Sequence, residues 1–298
     1  MGGSRGHTIS AGSKNKKNLI IVLVLTGSYL IAEVIGGIVT GSLALLADAA
    51  HMLTDVGGLA LALFAINMTQ RAASPRRTYG YYRAEILAAL TNAVVLIGIS
   101  LYILYEAYLR FKNPPEVSST TMLIVASIGL IINIIGMLIL RKGSQESLNM
   151  KGAYFEVLSD MLTSVGVIIA AIIMLTTGWW YADPIISAGI GLFILPRTWI
   201  LLKDAVGVLL EGTPSDVNLE ELRLEIAKIP GVKAVHDLHV WSLTSGYNAL
   251  SVHIVINEGL PYNETLQFIN DTITTNFKIK HTTIQLEIDN LKENETHL

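Results

Sequence analysis

The chain has 298 residues, of which 51% are hydrophobic and only 15% are charged. A soluble domain carries about a quarter charged residues, so this composition excludes an ordinary soluble protein and predicts a membrane protein. The formal net charge of -3 lacks the basic character of nucleic-acid-binding domains, so no nucleic-acid partner is expected. Because cysteine is absent, disulfides and thiolate ligands are excluded, and a bound metal must be held by His, Asp or Glu.

Six apolar stretches approach the roughly 20 residues that a membrane helix needs. We therefore predict six transmembrane helices over residues 18–40, 42–69, 84–110, 120–140, 152–177 and 183–203. The polar stretch 1–17 precedes them, and the first apolar segment is long enough to remain in the membrane. Within these spans, the small-residue spacing of Gly37 and Gly41 predicts close helix packing. Pro196 is expected to kink the sixth span, and Arg197 to extend towards the cytoplasm in a structural role.

Lys and Arg are concentrated beside alternate connections, and such residues are retained on the cytoplasmic side. This distribution places both termini in the cytoplasm and predicts a multi-pass protein of a bacterial-type inner membrane, surrounded by lipid. The positive residues that define it are Lys14, Lys16, Lys17, Arg71, Arg76, Arg77, Arg83, Arg141, Lys142 and Lys151.

The pattern changes after residue 210, where alternating and helical segments replace the apolar runs. We predict a helix over 219–229, strands over 234–243 and 249–256, a helix over 265–277 and a last strand over 282–288. The order α-β-β-α-β predicts a small α/β domain with helices on one face of an open sheet. The predicted organisation is an N-terminal tail (1–17), a six-helix transmembrane domain (18–210) and a cytoplasmic α/β domain (211–298).

Two pairs of ionisable residues lie inside predicted spans, where such groups are costly and usually functional. His51 and Asp55 are four residues apart in the second span, and Glu156 and Asp160 have the same spacing in the fifth. Each pair therefore lies on one helix face. If the faces met, one imidazole and three carboxylates would form a set of ligands that Zn²⁺ accepts. The alternative is an interhelical hydrogen-bond network in which Asp48 and Glu33 also take part.

These ligands must be deprotonated to bind a metal, so metal and protons compete for the site. That competition supplies a mechanism for proton-coupled transport, which is a hypothesis at this point. No Gly-rich loop ends in Gly-Lys-Ser or Gly-Lys-Thr, so ATP is not expected to be the direct energy source. No His-Glu-x-x-His motif accompanies the acids, and an enzyme is not expected.

The segments SLALLADAAHMLTD, YGYYRAEILAALTN and HDLHVWSLTSG, with the span that holds Glu156 and Asp160, resemble the cation diffusion facilitator family. The resemblance covers nearly the whole chain. It implies a homodimeric metal/proton antiporter with six helices and a cytoplasmic metallochaperone-like domain. Glu156 stands where many zinc members have His, and the segment GAYFEVLSD resembles the cobalt–zinc–cadmium resistance subgroup. The His-rich loop of some relatives is missing, since RKGSQESLNMKG contains no His.

A second metal site is expected in the C-terminal domain, with His236, His253 and Glu287 as the preferred ligands. Strand alternation places His236 and His239 on opposite faces unless a bulge intervenes, so these two are not expected to share one ion. The resemblance supports metal binding and dimerisation by this domain. The alternative is a set of ordinary surface histidines.

Arg83 and Glu211 are charged residues beside the third and sixth spans. In the simpler interpretation, each is a charge solvated by water. The resemblance implies instead that the two form a salt bridge that links the membrane and cytoplasmic halves. The function expected from the whole sequence is proton-coupled efflux of Zn²⁺, with Cd²⁺ and Co²⁺ as further substrates and no cofactor. The alternative is a membrane-bound metal sensor that transports nothing.

Overall fold

The computed structural model describes residues 11–53, 56–57, 74–141, 148–244 and 246–288. They form two compact units. In chain order, the first helices are α1 (Ala11–Thr40), α2 (Leu43–Leu53), α3 (Arg83–Lys112), α4 (Ser119–Leu140), α5 (Leu148–Thr177) and α6 (Ala182–Leu209). The first unit contains α1, α2, α4, α5 and the larger part of α3 and α6, and the second contains the start of α3, the end of α6 and the residues that follow.

Five helices in the described part of the chain are long and apolar enough to cross a membrane, and they correspond to five of the six predicted spans. The described part of the second span begins with the shorter apolar helix α2, and residues 54–55 and 58–69 of that prediction lie outside the described residues. The predicted helical transmembrane fold is confirmed. Large apolar side chains such as Ile31, Val39 and Leu192 are exposed on these helices, as expected of surfaces that face lipid.

Glycines allow close contact between the membrane helices at two points. A Cβ on Gly129 of α4 would lie 2.1 Å from the hydroxyl of Tyr29 on α1, and one on Gly37 would lie 2.8 Å from Leu46 on α2. The prediction for Gly41 was wrong, because a Cβ at this position would have no described residue beyond its chain neighbours within 4 Å. Its φ of +70° serves the turn that ends α1. Pro196 lies inside α6, which continues on both sides of it.

The C-terminal domain has the predicted α-β-β-α-β order, with α7 (Leu219–Ala227), β1 (Val232–Thr244), β2 (Tyr247–Ile256), α8 (Tyr262–Phe277) and β3 (His281–Glu287). The strands form one sheet in the order β1-β2-β3, antiparallel between β1 and β2 and parallel between β2 and β3. The Asn218 side chain accepts bonds from the amides of Glu220 and Glu221, which satisfies free donors at the start of α7.

One face of this sheet packs against α7 and α8, as predicted. Buried residues of β2 alternate as the pleat requires, at Leu250, Val252, Ile254 and Ile256, and they join Ile226 and other helix residues in a continuous apolar core. All members of this core lie between Val217 and Leu286. The opposite face is not covered by α7 or α8, and it carries the histidines considered next.

Candidate metal centres

The first candidate site connects α2 to α5. His51 Nε2 lies 3.5 Å from Asp160 Oδ1, and both side chains are buried. Phe193 of α6 packs edge-on against the imidazole, with ring centroids 6.4 Å apart. A buried imidazole beside a carboxylate supplies the nitrogen and oxygen ligands that divalent transition metals accept.

The structure places the other two residues of the predicted set differently. Asp55 lies outside the described residues. Glu156 precedes Asp160 by about one turn of α5, and its Oε1 accepts a hydrogen bond from Arg197 Nη2 at 3.1 Å. The two side chains are 43% and 54% exposed respectively. Arg197 thus has an ionic partner on α5, a role that the sequence analysis did not assign to it.

Beside His51 and Asp160 lies a buried polar network. Asp48 accepts hydrogen bonds from Thr163 at 2.5 Å and from Ser164 at 3.3 Å, while Tyr29 donates to Glu33 at 3.0 Å. Asp48 and Glu33 are the two further members that the sequence suggests for an interhelical network. Their position as acids inside apolar spans is the sequence signal that marks them as candidates in their own right, and both are buried.

Asp183, at the start of α6, is a positioning residue that the sequence analysis missed. Its carboxylate accepts hydrogen bonds from the Ser42 hydroxyl at 2.6 Å and from the amides of Leu43 at 2.9 Å and Ala44 at 3.1 Å. These amides are at the start of α2, where a helix has no carbonyl partners of its own and favours negative charge. Arg110 Nη1 lies 3.4 Å from the same carboxylate. Asp183 therefore fixes the start of the helix that carries His51.

The second candidate site lies on the open face of the C-terminal sheet. His236 of β1 pairs with His253 of β2, and Glu287 ends β3. His236 Nε2 is 3.2 Å from Glu287 Oε2, and His253 Nδ1 is 3.1 Å from Glu287 Oε1. One ligand atom from each of the three residues lies within 4.8 Å of the others, a spacing that would suit a metal ion. Two imidazoles and a carboxylate form a donor set that fits zinc.

A bulge in β1 changes the relation between His236 and His239. The register with β2 shifts between these residues, and Asp237 has a φ of +49°. Alternation puts His236 and His239 on opposite faces unless a bulge intervenes, and this bulge therefore allows them a common face. His239 nevertheless lies outside the three-residue cluster, and its Nε2 is 2.8 Å from Asp237 Oδ1.

This contact with Asp237 has an electrostatic consequence. The hydrogen bond from His239 lowers the pKa of Asp237 below its ordinary value. A carboxyl whose pKa falls on folding stabilises the fold above its unfolded pKa, and that contribution is lost as the pH falls through the folded value. Because the Asp237 side chain is about half exposed, solvent screens the effect and its contribution is small.

Arg83 and Glu211 form an ion pair, with Arg83 Nη2 at 2.8 Å from Glu211 Oε1. Nearby, Tyr82 stacks on Tyr247, with ring centroids 5.1 Å apart, and Thr244 donates a hydrogen bond to Glu85. The ion pair lines a cleft of about 560 Å³ that also includes His239 and Trp241. These contacts tie the first residues of α3 to one end of the sheet.

Comparison with known proteins identifies the class. A family model described as the cation efflux transmembrane domain matches residues 19–210, and one described as the cation efflux protein cytoplasmic domain matches residues 214–289. The chain belongs to the cation efflux, or cation diffusion facilitator, family, so the resemblance seen in the sequence is confirmed and the protein is a multi-pass membrane protein.

Individual relatives are similar over nearly their whole length. The metal cation efflux system protein CzcD of Cupriavidus metallidurans is 54% identical over 284 residues, which cover 95% of this chain and 90% of the relative. A protein named cadmium, cobalt and zinc/H(+)-K(+) antiporter of Bacillus velezensis is 44% identical, with coverage of 96% and 92%. Zinc transporter ZitB of Yersinia pestis is 42% identical, with coverage of 94% and 90%.

Among solved structures, the metal-bound C-terminal domain of the CzcD transporter is 38% identical to this chain. The match covers 24% of this chain and 100% of that domain, with a TM-score of 0.23.

Proposed function

We propose that this protein exports Zn²⁺ from the cytoplasm in exchange for protons, with Cd²⁺ and Co²⁺ as further substrates. The observation that carries the proposal is the buried His51–Asp160 pair, which joins two helices in the interior of a multi-pass membrane protein. Relatives named as metal efflux proteins and as a metal/H(+)-K(+) antiporter support it.

In this proposal the transported ion is bound by His51, Asp55, Glu156 and Asp160. The set offers one nitrogen donor and three carboxylates, which carry more negative charge than the ion neutralises. Protons and metal compete for the same lone pairs, so a site that loses protons on the cytoplasmic side gains metal there. A site that accepts protons on the other side releases the ion. The exchange needs no direct use of ATP.

Arg197 has a defined part in this cycle. Its guanidinium balances the charge of Glu156 while no metal is bound, at the 3.1 Å distance described above. A divalent ion would take over that carboxylate when it reaches the site. An internal cation of this kind keeps the empty site from accumulating uncompensated negative charge, which is costly inside a membrane.

The proposed organisation places the domain boundary after Leu210, with both termini in the cytoplasm and the protein in a bacterial inner membrane. Two protomers associate as a homodimer, and the C-terminal domain takes part in that contact. In this domain His236, His253 and Glu287 hold a metal ion that reports cytoplasmic metal, separate from the transported one. The protein is a transporter and not an enzyme, with no resident cofactor and no nucleic-acid partner.

The test is metal flux in proteoliposomes. Purified protein is reconstituted with a fluorescent zinc indicator inside the vesicles, and a pH gradient is imposed with the lumen acidic. We expect zinc uptake that depends on the gradient, together with proton movement out of the lumen. A membrane-bound sensor would move no metal under any gradient, and that result would exclude transport.

A further inference from the structure

Glu33 of α1 and Asp48 of α2 are two buried acids that the proposed set of metal ligands does not use. Their exposed fractions are 0% and 1%. The two carboxyl groups lie within hydrogen-bonding range of each other. Two ionised carboxylates offer only lone pairs, so this contact becomes a hydrogen bond only when one of them carries a proton.

Within the part of the chain that the structure describes, the surroundings supply no positive charge to replace that proton. Among the described residues, no Lys, Arg or His forms an ion pair with either group. The hydrogen bonds to the pair are neutral, from Tyr29 to Glu33 and from Thr163 and Ser164 to Asp48. In addition, Glu33 Oε2 is buried and has no hydrogen-bond donor within the described part of the chain.

Asp160 of α5 is a third acid close to the pair. From α4 the network receives only neutral groups, since the Val125 carbonyl accepts from Tyr29 and the Asn133 amide donates to Ser164. Two buried like charges in contact, beside a third, cannot both remain ionised without a proton or a metal cation.

We propose that Glu33 and Asp48 share one proton while the transport site is empty, and that this dyad is a proton-binding site distinct from the metal ligands. The inference rests on the proposed function, because it concerns the proton that the metal exchanges with.

The position of the dyad explains how metal would act on it. Asp48 precedes His51 by about one turn of α2, and its partners Thr163 and Ser164 follow Asp160 by about one turn of α5. A divalent cation held by His51 and Asp160 would place positive charge one turn away from the dyad. A nearby positive charge favours the ionised form of an acid, so metal binding releases the shared proton to solution. By reciprocity, the protonated dyad weakens metal binding.

The experiment counts protons released when Zn²⁺ binds to the full-length protein in detergent, using a pH indicator in weakly buffered solution. Glu33→Gln reproduces the protonated form, because its carbonyl accepts from Tyr29 and its amide donates to Asp48. We expect this variant to release about one proton fewer per zinc than the wild type. Asp48→Asn should show the same loss, and the double variant no greater loss than either single variant, since only one proton is shared.

Asp204→Asn is the control. Asp204 is an exposed acid near the end of α6, outside the buried network and the proposed metal ligands, so its variant should release the wild-type number of protons. An equal count in the wild type and Glu33→Gln would overturn the proposal. So would losses that add in the double variant, because they would mean two separate protons.

Two further measurements keep the test decisive. Infrared difference spectra of the wild type should show loss of a protonated carboxyl band when zinc is added, and a spectrum without that loss contradicts the proposal even if the variants fold poorly.

Replacing K⁺ by choline should leave unchanged the difference in protons released per zinc between the wild type and Glu33→Gln. A changed difference would mean that the dyad holds K⁺ instead. Proton counting needs only metal binding, so a failure of transport in liposomes is distinguishable from a failure of the dyad.

Discussion

Asp160 is the residue on which the proposed transport chemistry depends most directly, because its carboxylate is the group that lies against His51 across two helices. Replacing it by Ala removes a metal ligand without emptying a large packed volume. The effect should therefore fall on ion binding and hardly at all on the helix bundle. The same reasoning applies to Asp55, which has the equivalent spacing from His51 in the sequence.

We predict that Asp160→Ala and Asp55→Ala lower zinc flux in proteoliposomes to the level of protein-free vesicles. Asp204→Ala is a suitable control, because Asp204 is an exposed acid near the end of α6 and should leave the flux unchanged. Size-exclusion profiles should be the same for all variants. Wild-type flux in Asp160→Ala would show that the four-ligand site is wrong.

Glu156 governs ion selectivity in this scheme, since a carboxylate tolerates more kinds of cation than an imidazole does. We predict that Glu156→His keeps zinc transport and raises the ratio of Zn²⁺ to Cd²⁺ flux, measured in competition. The substitution also leaves Arg197 without the carboxylate it contacts. The double variant Glu156→His with Arg197→Gln separates these effects, and it should show the same ratio. An unchanged ratio in both variants would mean that Glu156 does not face the ion.

Helix α2 owes the position of its start to a residue on another helix. The Asp183 carboxylate binds the Ser42 hydroxyl and two backbone amides, and Arg110 also contacts the Gly41 carbonyl at 2.6 Å. Because α2 carries His51, a displaced start would displace the metal ligand.

We predict that Asp183→Ala lowers the stability of the detergent-solubilised protein by roughly 2–4 kcal/mol, because several buried donors lose their acceptor. Asp183→Asn retains an acceptor oxygen and should have a clearly smaller effect. Thermal unfolding followed by circular dichroism measures both. If the Ala and Asn variants unfold at the wild-type temperature, the carboxylate does not hold the start of α2.

Elements that follow simple periodicity could be predicted from the sequence, and elements fixed by distant contacts could not. The strands and helices of the C-terminal domain follow their apolar patterns to within a few residues, because one face of each packs in a single core. The role of Asp183 was missed because its partners are about 140 positions away in the chain. The sequence also left undecided whether β1 contains a bulge, because alternation alone does not reveal an inserted residue.

For the membrane site, the sequence identified the ionisable residues but not their partners. The spacing of Glu156 and Asp160 correctly places them on one helix, yet only Asp160 is seen against His51, while Glu156 contacts Arg197. A basic residue on a different helix cannot be assigned to its partner from spacing within one span. The roles of these residues as metal ligands stay predictions.

At the scale of the whole molecule, the C-terminal domain has a core of its own and should fold without the membrane helices. We predict that a fragment of residues 213–298 is stabilised by zinc, by about 2.7 kcal/mol at a free concentration near 100 times Kd. His253→Ala should remove most of the accompanying rise in melting temperature. His281→Ala is the control, because His281 lies at the start of β3 and packs against Tyr79, which the fragment lacks.

The dimer fraction of this fragment should rise with zinc and fall with a chelator, as measured by analytical ultracentrifugation. If micromolar zinc leaves the melting temperature of the fragment unchanged, His236 and His253 are ordinary surface residues. The membrane site would be unaffected by that result.

The ion pair of Arg83 and Glu211 connects the start of α3 to the residue that follows the end of α6. Since both side chains are partly exposed, the pair should contribute less than about 1 kcal/mol to stability. We predict that Arg83→Glu or Glu211→Arg alone slows zinc flux with little change in melting temperature, and that the double charge reversal restores the flux. A double variant as slow as the single ones would exclude a specific role for the pair.

The bulge at Asp237 also bears on how this domain tolerates changes in chain length. In a regular strand, losing one residue turns every later side chain to the opposite face. Here Val235, Leu238 and Val240 all pack in the core. Regular alternation would leave one residue between Val235 and Leu238, but the bulge places two there, so the strand already contains one extra residue. A homologue that lacked a residue at this point would keep His236 and His239 on the open face and Val240 in the core. Insertions and deletions in such a domain are therefore not confined to loops: a strand with a bulge has a position where its length can change while the sheet keeps both of its faces.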